Sequence, residues 1–161
     1  MIAIRPLTKP ELGTVVAFSL DAWAPVFASF KRILGPRIFG LVYPDWRAAQ
    51  ARAVSEVCRS DDVEVWVADA GGRPVGFVAL RCTQEGATPV GEIDMIAVDP
   101  QHQRAGIGRA LLDRAVAELT ARGIPLAVIA TGGDPGHAPA RALYEQHGFT
   151  GLPLVRYYRA L

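Results

Sequence analysis

The sequence predicts one mixed α/β domain, and three observations lead there. The first sixty residues have helical spacing and carry Trp23, Phe27, Phe30, Phe39, Tyr43 and Trp46. Two β-branched runs then flank a turn-forming segment, Asp69-Ala70-Gly71-Gly72-Arg73-Pro74. From Glu92 onward, apolar stretches alternate as strand, helix, strand, helix, strand. With 161 residues, half of them apolar, the chain suits a single core.

Residues 2–5 read as a short strand. Thr8-Lys9-Pro10-Glu11 is a capping box, in which Thr and Glu side chains satisfy the first free N–H groups of a helix. Two or three helices follow to about residue 60, broken at Gly35-Pro36 and at Pro44. Strands are expected over 63–68 and 75–80, a loop over 82–89 and a third strand over 92–98. Ile107, Leu111, Leu112, Ala115, Val116 and Leu119 fall on one face of a helix, which Gly123 ends. A buried strand over 125–130, a short helix over 139–147 stopped by Gly148 and a last strand over 154–158 complete the order. No internal repeat or linker interrupts it.

Charge and cysteine content narrow the function classes. Lys and Arg number 17 against 16 for Asp and Glu, so no overall field points to nucleic acid or an anionic membrane, and any anion site must be local. Cys58 and Cys82 are far apart, fit no zinc or redox spacing, and read as buried thiols; no metal is expected. The N-terminal residues lack a signal-peptide apolar core, and no stretch approaches ~18 uninterrupted apolar residues. A soluble, cytoplasmic setting is the expectation.

Between the third strand and the following helix lies Gln103-Arg104-Ala105-Gly106-Ile107-Gly108, followed by Arg109. N–H groups in the first turn of a helix have no intrahelical partners and carry the positive end of its dipole, so the turn suits a phosphate. Two familiar phosphate loops do not fit. A dinucleotide fingerprint needs a small residue where Leu111 stands, and a triphosphate P-loop needs Lys where Arg109 stands. The plainer reading is a tight turn with solvated arginines.

The run Val98-Asp99-Pro100-Gln101-His102-Gln103-Arg104-Ala105-Gly106-Ile107-Gly108 resembles the acetyl-CoA motif of the GNAT N-acetyltransferases, [QR]-x-x-G-x-[GA] after a strand. A second block, Ala140-Arg141-Ala142-Leu143-Tyr144-Glu145-Gln146-His147-Gly148-Phe149, resembles that family's A-x-x-L-Y-x-x-x-G-F helix. The resemblance implies a mostly antiparallel sheet with a parallel pair at the acetyl-CoA site. It implies that Gln103, Arg104, Ala105, Gly106, Ile107, Gly108 and Arg109 cradle a pyrophosphate. It also implies that the pantetheine arm pairs beside Ile96, Ala97 and Val98, with His137 and Ala140 near the cofactor. Where many members have Asn, this chain has His137.

Acetyl transfer needs a neutral amine, support for an oxyanion and a proton for the departing thiolate. A backbone N–H near Val98 is the expected oxyanion donor. Tyr144, at the place of the family's usual general acid, would protonate the sulfur, since a phenol of pKa ~10 is of similar basicity to a thiolate. An amine of pKa ~10.4 is neutral in only ~1 molecule in 2,500 at pH 7, so a proton acceptor is needed. Glu92 is the first candidate, and strand alternation puts Glu92, Asp94 and Ile96 on one face. His137 with Asp134, in the loop before the last helix, is the second. His102 and His147 read as structural.

For the acceptor, Trp23, Phe27 and Asp134 are the substrate-binding candidates, although aromatics at helical spacing more often form core. A small-molecule primary amine is the leading acceptor, attacked directly in a ternary complex. The alternatives are an acyl-CoA-binding module that does not turn over, and an enzyme acting on a protein or aminoacyl-tRNA. Neither nucleic acid nor membrane is expected as a partner, and a homodimer is left open.

Overall fold

The computed structural model describes residues 1–161. The elements are β1 (Ile2–Pro6), α1 (Leu12–Val42), α2 (Trp46–Arg59), β2 (Val63–Ala70), β3 (Arg73–Glu85), β4 (Thr88–Val98), α3 (Ile107–Ala121), β5 (Leu126–Ile129) and α4 (Ala138–Gln146), with short 3-10 turns before α1, α3 and α4. The sheet runs β1-β2-β3-β4-β5, antiparallel except for the parallel β4–β5 pair. This is the expected mixed architecture.

Helix α1 starts behind the expected capping box. The Thr8 N–H donates to Glu11 at 3.0 Å, and Arg5 bridges Glu11 and Asp69, tying β1 to the helix start. Those hydrogen bonds, with Arg5 foremost, bring the Glu11 carboxyl down to about 2. Gly35 leaves helical geometry at φ +74°, the break expected at Gly35-Pro36. Pro44 separates α1 from α2, and the Asp45 carboxylate caps α2 by accepting the Ala48 N–H.

Two apolar layers cover the sheet. Helices α3 and α4 bury Ile107, Leu111, Leu112, Leu119 and Tyr144 against Val78, Leu80 and Ile93. Helices α1 and α2 bury Val15, Phe18 and Val54 against Val67, Phe77, Ala79 and Ala97. Phe77 is fully buried between Phe18 and Trp23, a placement worth roughly 2–3 kcal/mol over an exposed ring.

Four expectations are corrected. Residues 82–89 are not a loop: β3 runs to Glu85 and β4 begins at Thr88, so the pair is one long hairpin. Val116 lies at the exposed margin of α3. Cys82 is exposed, while Cys58 is partly buried, which pushes its thiol up to about 11. The expected last strand over 154–158 is not in the sheet, which ends at β5. Residues 150–161 make no backbone–backbone hydrogen bond.

One local irregularity shapes the site. In the β3–β4 ladder Ala79 faces Met95 but Leu80 faces Ile93, so Asp94 is an extra residue, a β-bulge. Ile93 and Ile96 therefore both point to the α3/α4 layer, and Met95 and Ala97 to the α1/α2 layer. Glu92 and Ile96 are on opposite faces, which corrects the expectation that Glu92, Asp94 and Ile96 share one.

Candidate active site

Strands β4 and β5 pair only from Val90↔Leu126 to Ile93↔Ile129, and then part. A cleft of about 820 Å³ opens there, lined by residues from both apolar layers. Trp23, Val26, Gln50 and Met95 come from the α1/α2 side, and Ile96, Val98, Leu143 and Tyr144 from the α3/α4 side. The opening passes through the sheet. A larger groove of about 1150 Å³, between the start of α1 and the end of α2, holds none of the motif residues.

The free lip of β4 is ready to pair with an extended ligand. The Asp99 N–H donates to the Val75 carbonyl at 2.9 Å, which sets the phase of the antiparallel ladder. Asp99 and Ala97 then bond toward β3, and Ile96 and Val98 turn their N–H and C=O groups into the gap left by β5. The Val98 carbonyl confirms that direction by accepting the Gln103 side-chain amide at 3.2 Å.

At one end of the cleft, Gln103, Arg104, Gly106, Ile107, Gly108 and Arg109 line the wall, with Ala105 in the same turn. None of the amides of residues 103–109 donates to a backbone or side-chain acceptor of the chain. Gly106 sits at φ +77° with open space where a Cβ would be, and Arg104 holds φ +63°, an uncommon conformation for a residue with a side chain. Unpartnered amides, a helix N-terminus and two arginines fit a pyrophosphate. Gly108 serves differently from Gly106: a Cβ there would lie 3.3 Å from Leu143, so its bareness lets α3 approach α4.

Tyr144 is buried in the cleft wall beside Phe149, and burial alone pushes its phenol up to about 12. Its acidity is therefore weaker than an ordinary phenol's. Ala140 lines the same wall. His147 also does, with Nδ1–H donating to the Leu143 carbonyl at 2.8 Å.

His137 faces the cleft and packs at a tilt against Phe30, with ring centroids 5.7 Å apart and planes 43° apart. Its Nδ1 is hydrogen-bonded to the Asp134 carboxylate, which leaves Nε2 as the nitrogen free for a ligand. Asp134 is buried behind it and also accepts the Gly136 N–H at 3.0 Å. Burial raises the Asp134 carboxyl, but hydrogen bonds from His137 and Ser29 outweigh it and hold the group below the usual range. Arg141 grips the carbonyls of Gly132 and Asp134 at 2.6 and 2.7 Å.

Two other candidates stand apart. Glu92 is not among the cleft-lining residues; it faces Arg81 across the β3–β4 ladder. Asp94 does line the cleft, and its carboxylate accepts from Arg81 Nε at 3.0 Å. Trp23 reaches the cleft, whereas Phe27 is buried and stacks on Trp46 with centroids 4.3 Å apart. Ser29, Arg141, Gln50 and Gly132 are site residues not singled out by sequence. For Gly132 the glycine density of Thr131-Gly132-Gly133-Asp134-Pro135-Gly136 was the available signal; the other three lie outside that stretch and carry none.

Comparison with known proteins agrees with this geometry. Over 105 residues the chain is 32% identical to a mycothiol acetyltransferase of Thermomonospora curvata, covering 65% of this chain and 34% of that protein. The chain thus spans about a third of the length of that relative. Among solved structures, the aminoglycoside N-acetyltransferase AAC(6')-Iy in complex with CoA superposes with a TM-score of 0.64 at 18% identity, over 99% of this chain and 95% of that one. A ribosomal-protein-alanine N-acetyltransferase of Brucella melitensis biovar Abortus 2308 gives 0.60 at 20% identity over the whole of both chains. These two share the fold. The model of the acetyltransferase (GNAT) domain matches residues 61–151, more than half of the chain and all of the cleft's β4, α3, β5 and α4, and the chain belongs to the GNAT acetyltransferase family.

Proposed function

We propose that this protein transfers the acetyl group of acetyl-CoA to the primary amine of a small molecule, by direct attack in a ternary complex. The observation that carries this reading is the cleft through the sheet at the β4–β5 parting. It has a ligand-ready strand edge on one lip and an unpartnered helix N-terminus at its end. Acetyl-CoA supplies the activated thioester.

In this reading the amides of residues 103–109 and Arg104 hold the pyrophosphate, and Ile96 and Val98 pair with the pantetheine amides. A β4 N–H beyond the bulge stabilises the oxyanion. Tyr144 gives its proton to the departing sulfur. Because its phenol is held above the ordinary value, transfer becomes favourable only as negative charge builds on that sulfur. His137 Nε2 takes the amine proton, with Asp134 fixing the ring and stabilising the imidazolium, an arrangement in which the carboxylate orients and does not itself take that proton. Glu92 is assigned a supporting place opposite Arg81.

The acceptor side points to a body with one positive charge. Trp23, Pro25, Val26 and Met95 are apolar, Gln50 is neutral, and Asp94, the one carboxylate in the lining, is shared with Arg81. A polycation would find too few acids there.

The test is thiol release from acetyl-CoA with a panel of aryl- and alkyl-monoamines, amino-sugar conjugates, polyamines, aminoglycosides, peptides and aminoacyl-tRNA. Turnover with monoamines above polyamines is expected. Coenzyme A binding with no turnover on any member would favour a non-catalytic acyl-CoA module, and selective turnover of peptides or aminoacyl-tRNA would overturn the acceptor class.

A further inference from the structure

Two serine hydroxyls are fully buried in this chain, and both stand on α1. A buried hydroxyl has one proton to give and lone pairs to fill, so its partners reveal what it holds. Ser19 donates to the Val15 carbonyl four residues back at 2.6 Å, which keeps its bond within the helix. Ser29 reaches off the helix. Its Oγ accepts the Gly136 N–H at 3.1 Å, 107 residues further along the chain.

The same N–H donates to Asp134 Oδ2 at 3.0 Å, so two oxygens share it. Ser29 Oγ and Asp134 Oδ2 therefore stand around one hydrogen, and the Ser29 proton has a carboxylate beside it as acceptor. That bond is among those that hold the Asp134 carboxyl below its usual range. The other carboxylate oxygen, Oδ1, holds His137 Nδ1. Arg141 grips the same loop only through the carbonyls of Gly132 and Asp134. The carboxylate is thus fixed at both ends, by Ser29 and the Gly136 amide on one oxygen and by the imidazole on the other.

Gly136 makes the contact possible. A Cβ there would stand 2.9 Å from both Ser29 Cβ and Val26 Cα, and 2.8 Å from Asp134 Oδ2, so only bare backbone can dock the loop this closely on α1. Val26 lies three residues before Ser29, on the same side of the helix, and with Trp23 and Pro25 it lines the acceptor side of the cleft. One stretch of α1 therefore walls the acceptor side and anchors the loop that carries His137.

We infer that Ser29 is a positioning residue: its hydroxyl, seated on Gly136, orients the Asp134 carboxylate and through it the ring of His137. Its consequence for the rate rests on the reading of His137 as proton acceptor. A carboxylate free to turn would release Nδ1, and the neutral ring could then carry its proton on Nε2, the nitrogen that must be bare to receive one.

The experiment is Ser29→Ala, read by nitrogen NMR of the His137 ring and by steady-state kinetics. Alanine suits a helix interior, so the variant should fold, and its coenzyme A affinity should stay within about twofold because the phosphate turn is on another loop. In the wild type the neutral His137 ring should carry its proton on Nδ1, and in Ser29→Ala it should shift toward a mixture with the Nε2–H form. The variant's kcat should fall ~10-fold, from a misplaced acceptor. In the His137→Asn background, Ser29→Ala should cost nothing further, since Ser29 acts only through that ring. A wild-type tautomer in Ser29→Ala, or losses that multiply in the double variant, would overturn the inference. A shifted tautomer beside a fully active His137→Asn would uphold Ser29 as the anchor of the pair and overturn the role of His137 as proton acceptor.

Discussion

Ile93 and Ile96 point into the same apolar layer although they stand three positions apart on one strand, an odd spacing that alternation would put on opposite faces, because Asp94 is bulged out of the β3–β4 ladder. The bulge lies where β4 loses β5 as a neighbour, so the change of phase and the opening of the sheet coincide. Its consequence for the chemistry is that Glu92 and the residues lining the cleft belong to different phases of the strand.

The two proton-acceptor candidates can be separated directly. Glu92→Gln should keep kcat/KM within about threefold of the wild type, while His137→Asn, which retains a hydrogen-bonding group but no basic nitrogen, should lose ~10²-fold or more. The measurement is the pH profile of kcat/KM for both variants. An inactive Glu92→Gln beside an active His137→Asn would return the role to Glu92. Full activity in both would mean that the amine arrives neutral or loses its proton to water, with the fold supplying mainly orientation.

The Asp134–His137 pair depends on Gly132. A Cβ there would stand 2.4 Å from Asp134 Oδ1 and 2.6 Å from His137 Nδ1, inside the pair's own hydrogen bond. Gly132→Ala should therefore lower kcat strongly while leaving coenzyme A affinity within a few-fold, because the phosphate turn is on another loop. Asp134→Asn should act the same way by leaving the imidazolium without its carboxylate. The Asp134 carboxyl is held below its ordinary value, so the stability it contributes is present above that value and is lost as pH falls toward its folded value. Melting temperature against pH should thus fall less on acidification in Asp134→Asn than in the wild type. Unchanged kcat in Gly132→Ala would show that the pair is not part of the chemistry.

The parts of this site legible in sequence are those whose chemistry is local. Gly106 and Arg104 can be read as an anion turn because backbone conformation, helix polarity and charge are all set within six residues. Tyr144 is legible only through its family-like helix, since a buried tyrosine carries no sequence mark of its own. The bulge is invisible: Asp94 fits a strand that alternates, and only the ladder with β3 shows the extra residue. Residues 154–158 read as a strand because of their β-forming side chains, but a strand also needs an edge to pair with, and these residues make no backbone–backbone hydrogen bond. Phe27, a substrate-contact candidate by sequence, is buried outside the cleft lining, with Trp46, Phe30 and Tyr43 packed around it, the place aromatics at helical spacing usually take.

The anion turn can be tested by substitution at Gly106. At φ +77° any side chain costs roughly 1–2 kcal/mol, although the space itself is open, so Gly106→Val should fold with a lowered melting temperature. Calorimetry should show coenzyme A binding weakened at least ~10-fold, because the β-branched side chain covers the amides that face the pyrophosphate. Equal affinity in a folded variant would show that the turn is only a turn.

Tyr144 is the sharpest test of the transfer step, because its environment predicts two things at once. Burial pushes the phenol up to about 12, so it stays protonated across the whole range in which the enzyme can be assayed. It should contribute no alkaline limb to the kcat profile below about pH 10, and any limb seen near neutrality must belong to the proton acceptor or the amine. Tyr144→Phe keeps the ring that packs on Phe149 and removes only the proton source, so coenzyme A affinity and stability should hardly change while kcat falls ~10²–10⁴-fold. The loss should be smaller with acetyl donors whose thiols are more acidic, since a better leaving group needs less help from a proton. A kcat reduced less than about threefold, with chemistry shown to be rate-limiting, or a loss that does not depend on the leaving group, would remove Tyr144 from the reaction and leave it as a wall of the cleft.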